Sequence, residues 1–354
     1  MSIQSNRVTA TNTAAATVAQ PVPPEAILTQ MAFGALLTQA LYVAAKLGLA
    51  DLLTDGPRPV EELAAATRTH ERSLYRVLRS LAGVGVFSET EPKTFALTPL
   101  AELLRSDVPN SMRSGAIFMG EEWHWRVWGD LLYSVRTGKP GWGHIHGAEV
   151  FDYFAVNPEQ AEIFNRAMTD MSTATAPSVV EGYDFSGISR LADIAGGHGY
   201  LLAQVLKANP DMNGILFDVP SVIKGADAVL EREGVADRVE KIEGDFFASV
   251  PAGADAYMMK HIIHDWDDQR ATKILRNIRD VMPSNAKVLI VETVVPEGDE
   301  PHYSKLLDLE MLSSPGGAER TAREYGELLA AGGLRLTRIV ATRSPFSIIE
   351  AVKG

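Results

Sequence analysis

Residues 260–269, KHIIHDWDDQ, concentrate side chains that could transfer a proton. His261 and His264 stand three positions apart, an aspartate follows His264, and the apolar run ADAYMM precedes the stretch. Histidine is the most frequent general base in enzymes because its pKa lies close to neutrality. The position favours either a surface histidine in a polar turn or a base held at the end of a buried strand.

Two glutamates further along the chain stand out by their surroundings. Glu292 interrupts the apolar run LIVETVV, where a carboxylate is costly to bury without a partner. Glu319 follows the glycine turn of SSPGGAERTAREY and precedes an expected helix, so it could be a capping acid and nothing more.

The elements that would position these residues follow from an alternation of short apolar runs and helical segments after Gly187. This alternation predicts an α/β fold with a doubly wound, mostly parallel sheet and two antiparallel strands at its end. Ligands of such sheets bind outside the carboxyl ends of the strands. The predicted strands are 190–195, 213–219, 238–245, 255–263 and 286–295, and the predicted helices are 199–208, 221–233, 268–281 and 321–331.

The first strand is followed by the turn DIAGGHGYL, with Ala195, Gly196 and Gly197 at its start. Glycines here let the main chain pass close to a ligand before a helix begins. As a dinucleotide fingerprint the turn is incomplete, because Leu202 occupies the position of the third glycine. The turn suits a mononucleoside-like ligand better than NAD, and a plain tight turn is the alternative.

Two further strand ends offer groups that an adenosine could use. Asp218 lies about twenty residues beyond the glycines, where an acid can accept hydrogen bonds from ribose hydroxyls. Asp245 could accept from an adenine amino group, and the Phe246 ring could stack on the base. Each residue alone could instead be a capping acid or a core phenylalanine, but their succession at three strand ends favours one nucleoside site.

The N-terminal half has a different character. Residues 25–53 are apolar on every side, which predicts either a core helix or a helix packed against a partner chain.

Residues 59–104 predict a winged helix-turn-helix, with helices at 60–66 and 71–83 and a hairpin. Its arginines could form a DNA-recognition face, but nearby glutamates offset their charge and favour a solvated surface. Residues 110–180 predict helices with a tryptophan cluster that suits either a core or a wall for a flat aromatic substrate.

Composition narrows the classes of partner. Lys plus Arg is 33 against 45 for Asp plus Glu, and the net charge of −12 argues against nucleic acid and anionic membranes as partners. The chain has no cysteine, and none of its eight histidines has the spacing of a metal site, so no metal is expected. We find no apolar stretch near the roughly 20 residues of a membrane span and no signal pattern, so a cytoplasmic enzyme is expected.

The motifs LADIAGGHG, FDVP, GDFF, KHIIHDWDD, VET and PGGAERT occur here in the order and at the spacing of a known family. The chain from about residue 25 to its end resembles the class I S-adenosylmethionine-dependent O-methyltransferases of the caffeic acid, hydroxyindole and bacterial polyketide-tailoring type. The resemblance implies methyl transfer to a hydroxyl of a small aromatic metabolite, phenolic or polyketide-like, by a homodimer. It implies a dimerisation helix and winged-helix domain (25–110), a helical linker that lines the substrate pocket (111–180) and an S-adenosylmethionine-binding catalytic domain (181–354). The Thr/Ala-rich residues before residue 25 predict a flexible tail (1–24).

The resemblance also assigns roles to residues. The main chain at Ala195, Gly196 and Gly197 would meet the methionine part of the cofactor, Asp218 the ribose, and Asp245 and Phe246 the adenine, with Lys260 nearby. His264 matches the catalytic base, and Glu292 and Glu319 match the two acids that hold it. On this basis neutral His264 Nε2 would take the proton of the acceptor hydroxyl while both acids orient the ring and stabilise the imidazolium.

The acceptor pocket is expected from six positions. Phe164 and Met168 match pocket positions of the family, and Phe118 and Trp125 belong to the aromatic cluster that suits a planar, fairly apolar acceptor. Plant members have histidine at Met171 and asparagine near Ser314, so their acceptors are not carried over to this chain.

The chain departs from the family in the cofactor turn, and two functions other than methyl transfer remain as alternatives. The family has glycine where this chain has Ala195, and a main-chain contact tolerates the methyl group if φ is negative. The alternatives to methyl transfer are the same scaffold redirected to hydroxylation or decarboxylation, and a winged-helix regulator that senses a metabolite.

Overall fold

The computed structural model describes residues 22–354, so nearly all of the predicted tail lies outside the described residues. The described chain has a helical N-terminal half and an α/β C-terminal half. The predicted division at residue 180 stays a prediction, and the long helix Pro158–Gly182 runs through it.

The first helix, α1 (Pro24–Lys46), lies on the surface with its apolar side chains uncovered. Only Ala44 and Ala45 of this helix are buried. The core interpretation of residues 25–53 is therefore wrong for most of the helix, and the partner-chain interpretation remains. The large exposed side chains are Ile27, Leu28, Met31, Phe33, Leu36 and Leu37.

By length and composition alone, α1 is also long and apolar enough to cross a membrane. The expectation that no apolar stretch would approach that length was wrong, because the small residues between the large ones keep the whole helix apolar.

The two helices and the hairpin predicted for residues 59–104 are present. Helices α2 (Val60–Thr67) and α3 (Glu71–Gly83) precede a hairpin of β2 (Phe87–Glu91) and β3 (Thr94–Leu97), and β1 (Arg58–Pro59) completes a sheet of order β1-β3-β2. Helix α3 buries Leu74, Leu78 and Leu81, whose spacing places them on one face. Its arginines Arg72, Arg76 and Arg79 are exposed. The short helix α4 (Pro99–Glu102) follows.

Six helices form a layer between the two halves. They are α5 (Arg113–Gly120), α6 (Glu122–Gly129), α7 (Leu131–Thr137), α8 (Gly141–His146), α9 (Val150–Val156) and α10 (Pro158–Gly182). Their shared core is aromatic, with Trp123, Trp142 and Phe154 buried and their rings in edge-to-face contact. The core interpretation of the tryptophan cluster is thus correct for Trp123.

The C-terminal half is a seven-stranded sheet of order β6-β5-β4-β7-β8-β10-β9. All neighbours pair in parallel up to β8, and β10 pairs antiparallel with both β8 and β9, as predicted. The order reverses between β4 and β7, which opens the ligand crevice of a doubly wound sheet at that point. The strands are β4 (Arg190–Ile194), β5 (Asn213–Asp218), β6 (Val239–Glu243), β7 (Ala256–Lys260), β8 (Lys287–Thr293), β9 (Leu334–Ala341) and β10 (Phe346–Lys353).

Helices cover both faces of this sheet. One face packs on α10, α11 (Tyr200–Ala208) and α13 (Ala226–Arg232), and the other on α14 (Asp268–Val281) and α16 (Ala322–Ala331). The predicted helix 221–233 is divided, because α12 (Pro220–Ile223) ends before Gly225, where the ring of His198 occupies the space of a Cβ. Helix α15 (Tyr303–Ser313) packs against α7 and α8 of the helical layer.

Candidate functional site

His264 lies in a single 3-10 turn, Ile263–Asp265, directly after β7, and it is buried. A carboxylate from the neighbouring strand β8 holds this turn. Glu292 Oε1 accepts hydrogen bonds from the main-chain N–H groups of Ile262 (3.1 Å), Ile263 (2.7 Å) and His264 (3.2 Å). The hydroxyl of Tyr325 donates to Glu292 Oε2 at 2.7 Å. Four donors therefore compensate the buried charge of Glu292.

The imidazole ring itself is held by Glu319. His264 Nδ1 donates to Glu319 Oε1 at 2.5 Å, while the hydroxyl of Thr293 donates to Glu319 Oε2. A hydrogen bond from Nδ1 to a carboxylate fixes the tautomer and leaves Nε2 as the reactive atom. The prediction that both glutamates hold the ring is corrected here, because Glu292 bonds to the main chain and Glu319 alone bonds to the imidazole.

The glycine turn before Glu319 packs directly on the main chain of His264. A Cβ on Gly317 would lie 2.0 Å from the carbonyl oxygen of His264, so a side chain does not fit there. The N–H of Ala318 donates to that same carbonyl at 2.9 Å. The motif PGGAERT thus brings Glu319 to the ring because glycine permits the close approach.

Burial and the neighbouring charges act in opposite directions on the pKa of His264. Burial lowers the pKa, but the carboxylates of Asp265, Glu319 and Glu292 outweigh burial and raise it to about 9. Asp265 Oδ1 lies 3.6 Å from His264 Nε2. Burial raises the pKa of Asp265 to about 7, against the attraction of His264.

Two further residues of the opening motif have defined positions. Asp267 is the N-cap of α14 and accepts from the N–H of Arg270 at 2.8 Å. His261 is not a strand residue, since β7 ends at Lys260 and His261 has a positive φ of 57°. Its ring centroid lies 4.9 Å from that of His264, and burial, Lys260 and His264 hold its pKa well below the usual value.

The turn after β4 departs from the expectation of a negative φ at Ala195. Ala195 has φ +56°, and Gly197 (+62°) and Gly199 (+79°) are also in the left-handed region. A side chain does not fit at Gly196, because a Cβ there would lie 2.6 Å from the carboxylate of Asp193. The turn therefore keeps its glycine-like shape with an alanine in a strained position.

The predicted cofactor residues lie at the carboxyl ends of adjacent strands. Asp218 accepts from the N–H of Gly197 at 2.8 Å and from that of Val219 at 2.7 Å. Asp245 is exposed and accepts from the N–H of Phe247, so it caps a turn. The half-buried ring of Phe246 has its centroid 5.9 Å from that of Trp266.

Asp193 of β4, which is buried, and Lys260 of β7, which is half-buried, lie near each other at the crevice between these strands. Burial raises the pKa of Asp193 to about 7, and burial lowers the pKa of Lys260 to about 8, each partly opposed by the attraction of the other. Asp193 is 2% exposed. A buried carboxylate next to a glycine turn is a feature that favours a positively charged ligand group.

The predicted acceptor residues are only partly brought together. Phe118 and Phe164 touch, with ring centroids 5.8 Å apart, and Ser314 donates to Glu310 at 2.8 Å. Met171 packs instead with the core between α10 and the sheet. Trp125 and Met168 are half-buried, and no recorded contact in the described part of the chain joins them to His264.

Sequence reasoning missed several polar residues around the site. Tyr325 and Thr293 support the two glutamates, and Glu310 receives hydrogen bonds from His124 and Trp128. The pairs His124–Glu310 and Trp128–Glu310 lie far apart in the chain, so no local pattern indicates them. The only available signal was a pair of acids, Asp308 and Glu310, among the apolar residues of the helical segment LLDLEML.

This sheet order, with acids at successive strand ends and a histidine–carboxylate pair after the fourth strand, defines a class I S-adenosylmethionine-dependent methyltransferase. The comparisons with known proteins agree. An O-methyltransferase domain model matches residues 128–335, and an O-methyltransferase dimerisation domain model matches residues 29–107. The chain belongs to this O-methyltransferase family, as the resemblance predicted.

Three similar proteins show the range of the family. A phenazine O-methyltransferase of Lysobacter antibioticus is 49% identical over 330 residues, which span 93% of this chain and 96% of that protein. An 8-amino-8-demethylriboflavin N,N-dimethyltransferase of Streptomyces davaonensis is 38% identical over 88% of this chain and 90% of that one. The SAH-bound structure of a methyltransferase in calicheamicin biosynthesis has a TM-score of 0.82 and 37% identity, covering 93% of this chain and 98% of that one.

The residues present fit S-adenosylmethionine as the cofactor. The turn at Ala195 to Gly197 runs without large side chains, Asp193 and Asp218 offer carboxylates, and Phe246 offers a half-buried ring face. These groups suit an ammonium, ribose hydroxyls and an adenine respectively. The protein is an S-adenosylmethionine-dependent methyltransferase of secondary metabolism.

The strained position of Ala195 gives a testable prediction. An L-residue in the left-handed region costs about 1–2 kcal/mol, and glycine loses about 0.5–1 kcal/mol of that gain through its freer unfolded state. Ala195→Gly is therefore expected to raise the free energy of unfolding by about 0.5–1 kcal/mol, measured by urea denaturation. The matched control is Ala192→Gly in β4, which lacks a positive φ and should destabilise the protein. Destabilisation by Ala195→Gly would contradict the strained conformation.

Proposed function

We propose that this enzyme transfers the methyl group of S-adenosylmethionine to a hydroxyl of a small aromatic metabolite, phenolic or polyketide-like, with His264 as the general base. The observation that carries the proposal is the buried His264–Glu319 pair, joined at 2.5 Å through Nδ1. This pair leaves Nε2 as the atom that takes a proton.

The raised pKa of His264 suits proton transfer from a phenol. A phenol has a pKa near 10, as tyrosine does, and the pKa of His264 is about 9. The neutral ring of His264 is therefore a stronger base toward a phenol than free histidine is. The cofactor, when bound, supplies a methyl group activated by a sulfonium, whose positive charge also favours the neutral imidazole that must act as base.

The residues of the chain do the positioning. Alignment of the acceptor oxygen contributes on the order of 7–11 kcal/mol where the geometry is close to attack. In this proposal Glu292 fixes the main chain that carries His264, and Glu319 orients the ring and stabilises the imidazolium as it forms. Asp218, Asp245, Phe246 and Lys260, with the main chain of Ala195 to Gly197, hold the cofactor.

The acceptor class is supported by the aromatic wall and by the relatives. Phe118 and Phe164 form a wall of aromatic rings. The relative that is 49% identical is named for a phenazine, which is a planar aromatic compound. Retention of His264 with Glu319 supports methyl transfer over a redirected scaffold, and the net charge and matching enzyme domains disfavour a DNA-binding regulator. A relative that methylates an amino group makes an amine the second candidate acceptor.

We also propose that the protein is a homodimer in which α1 packs on the partner chain. The family's dimerisation domain covers residues 29–107, and α1 exposes the row of large apolar side chains described above. An exposed apolar patch of this size is typical of an interface. A partner chain that covers α1 would also explain why this enzyme has a helix apolar enough to cross a membrane.

The base assignment is tested by His264→Ala. General-base catalysis contributes about 10²–10⁴-fold to rate, so turnover should fall by about that factor. The measurement is transfer of label from S-adenosylmethionine to a panel of phenols, polyketide aromatics and aromatic amines, and calorimetric binding of S-adenosylhomocysteine is the control for folding. Near-normal turnover with unchanged binding would show that another group removes the proton.

The role of Glu319 is tested by the pH profile of Glu319→Gln. Removal of the negative charge beside the imidazole lowers the pKa of His264, and the active base is the neutral ring. The ascending limb of the profile of kcat/KM for the acceptor should therefore move to lower pH, and kcat should fall on the order of tenfold or more. A limb that stays in place, or moves to higher pH, would show that Glu319 does not set the pKa of the base.

The dimer is tested by the double variant Leu28→Glu and Met31→Glu. These side chains are 68% and 70% exposed in the single chain, so the charges do not disturb the protomer, but they place carboxylates inside the proposed interface. Sedimentation should give the mass of one protomer, with the wild type at twice that mass. Val156→Glu is the control, because Val156 is also exposed (77%) but lies outside α1. A double variant that sediments as a dimer would place the interface elsewhere.

A further inference from the structure

Glu310 is a half-buried carboxylate that makes no hydrogen bond to His264. It projects from α15 and receives hydrogen bonds from two rings of the helical layer, His124 Nε2 at 2.9 Å and Trp128 Nε1 at 2.7 Å. The hydroxyl of Ser314 donates to it at 2.8 Å. Burial would raise the pKa of Glu310, but His124 and the other donors hold the pKa below the usual value. Glu310 is therefore an ionised acid under all ordinary conditions.

Glu310 lies near both the aromatic wall and the residue that follows the candidate base. Its partner His124 contacts Phe118 in a tilted arrangement, with ring centroids 4.3 Å apart. The charge of Glu310 also reaches Asp265 and Tyr303, whose pKa values are raised first by burial and further by Glu319 and Glu310. The carboxylate therefore belongs to the surroundings of the wall and of the candidate base at once.

The hydrogen bonding of this group is incomplete. His124 and Ser314 both bond to Oε1, and Trp128 is the only donor to Oε2 among the described residues. A carboxylate oxygen can accept two hydrogen bonds, so Oε2 retains one acceptor site. His124 Nδ1 is buried and has no partner in the described part of the chain. The side chain of Glu310 keeps 13% exposure, so it is not completely enclosed by the protein.

A buried charge seldom gives more stability to the contact between two layers of a protein than apolar residues would. Replacing such polar groups by apolar residues of the same volume is often neutral or stabilising. Two rings and a hydroxyl that orient one carboxylate, with one acceptor site left over, are the arrangement of a recognition site for a hydrogen-bond donor.

We propose that Glu310 is the second polar contact of the methyl acceptor and selects aromatic molecules that carry, besides the reacting hydroxyl, a further donor such as a second hydroxyl or an N–H. The proposal rests on the proposed function, because it concerns the same acceptor pocket. The second donor bonds to Glu310 Oε2 and directs the reacting hydroxyl toward His264 Nε2. An acceptor without this donor leaves the carboxylate buried and short of a partner.

The test compares matched acceptors with matched variants. The acceptors are a panel of dihydroxynaphthalenes and hydroxyphenazines, each paired with the analogue in which the second donor is replaced by hydrogen, for example 2-naphthol. Wild type should prefer the donor-bearing member by about 10- to 100-fold in kcat/KM, the size expected for a hydrogen bond to a charged group. Glu310→Gln should remove most of that preference, mainly through KM, and leave the binding of S-adenosylhomocysteine unchanged.

Trp128→Phe is the matched control because it removes one donor to Oε2 but keeps the carboxylate. If Glu310 only fastens α6 to α15, both variants lower activity toward both acceptors alike, and the proposal is overturned. Equal use of both acceptors by the wild type also overturns it, whatever the variants do or whether they fold. If the wild type methylates no member of the panel, the proposed function fails; if it methylates both members of each pair equally, only this inference fails.

Discussion

The site depends on one interaction. The carboxylate of Glu292 accepts hydrogen bonds from three consecutive main-chain N–H groups. After β7 the chain must leave the sheet and bring His264 back toward the crevice, so these N–H groups lose their strand partners. Left unpaired in a buried place, each would cost about 1–3 kcal/mol. Glu292 satisfies all three from the neighbouring strand, and Tyr325 from α16 satisfies Glu292 in turn. The hydrogen bonds of the main chain thus fix the position of the candidate base, and the contact of its ring with Glu319 adds the orientation.

Around this anchor, acids outnumber bases, and that imbalance sets the chemistry. Asp265, Glu292 and Glu319 all raise the pKa of His264 against the effect of burial. The resulting value of about 9 lies nearer to a phenol than the pKa of free histidine does. The opposite effect operates at His261, where burial, Lys260 and His264 together keep the ring uncharged. Two histidines three positions apart therefore acquire opposite properties from surroundings that no local sequence pattern describes.

The sheet and the strand-end residues could be predicted because they follow from periodicity and from the rule that ligands bind at the carboxyl ends of parallel strands. Asp218, Phe246 and His264 all lie where that reasoning expected. The function of Glu292 could not be predicted, since an acid in an apolar strand indicates only that some partner exists. Nor could the positive φ of Ala195, because alanine is an improbable residue for that conformation and the neighbouring sheet imposes it. The exposure of α1 also stayed open, since a uniformly apolar helix suits a core and an interface equally.

The helical layer and the catalytic half meet through polar contacts as well as apolar packing, and this has a consequence for how the pocket is built. His124 and Trp128 from α6 both point at Glu310 on α15, and α15 leads directly into the turn that carries Glu319. The same short segment therefore holds the carboxylate that orients the candidate base and the carboxylate that faces the aromatic wall. A shift of α6 relative to the sheet would move both carboxylates together. In the proposed function, recognition of the acceptor and orientation of the base are therefore coupled through one segment of the C-terminal half.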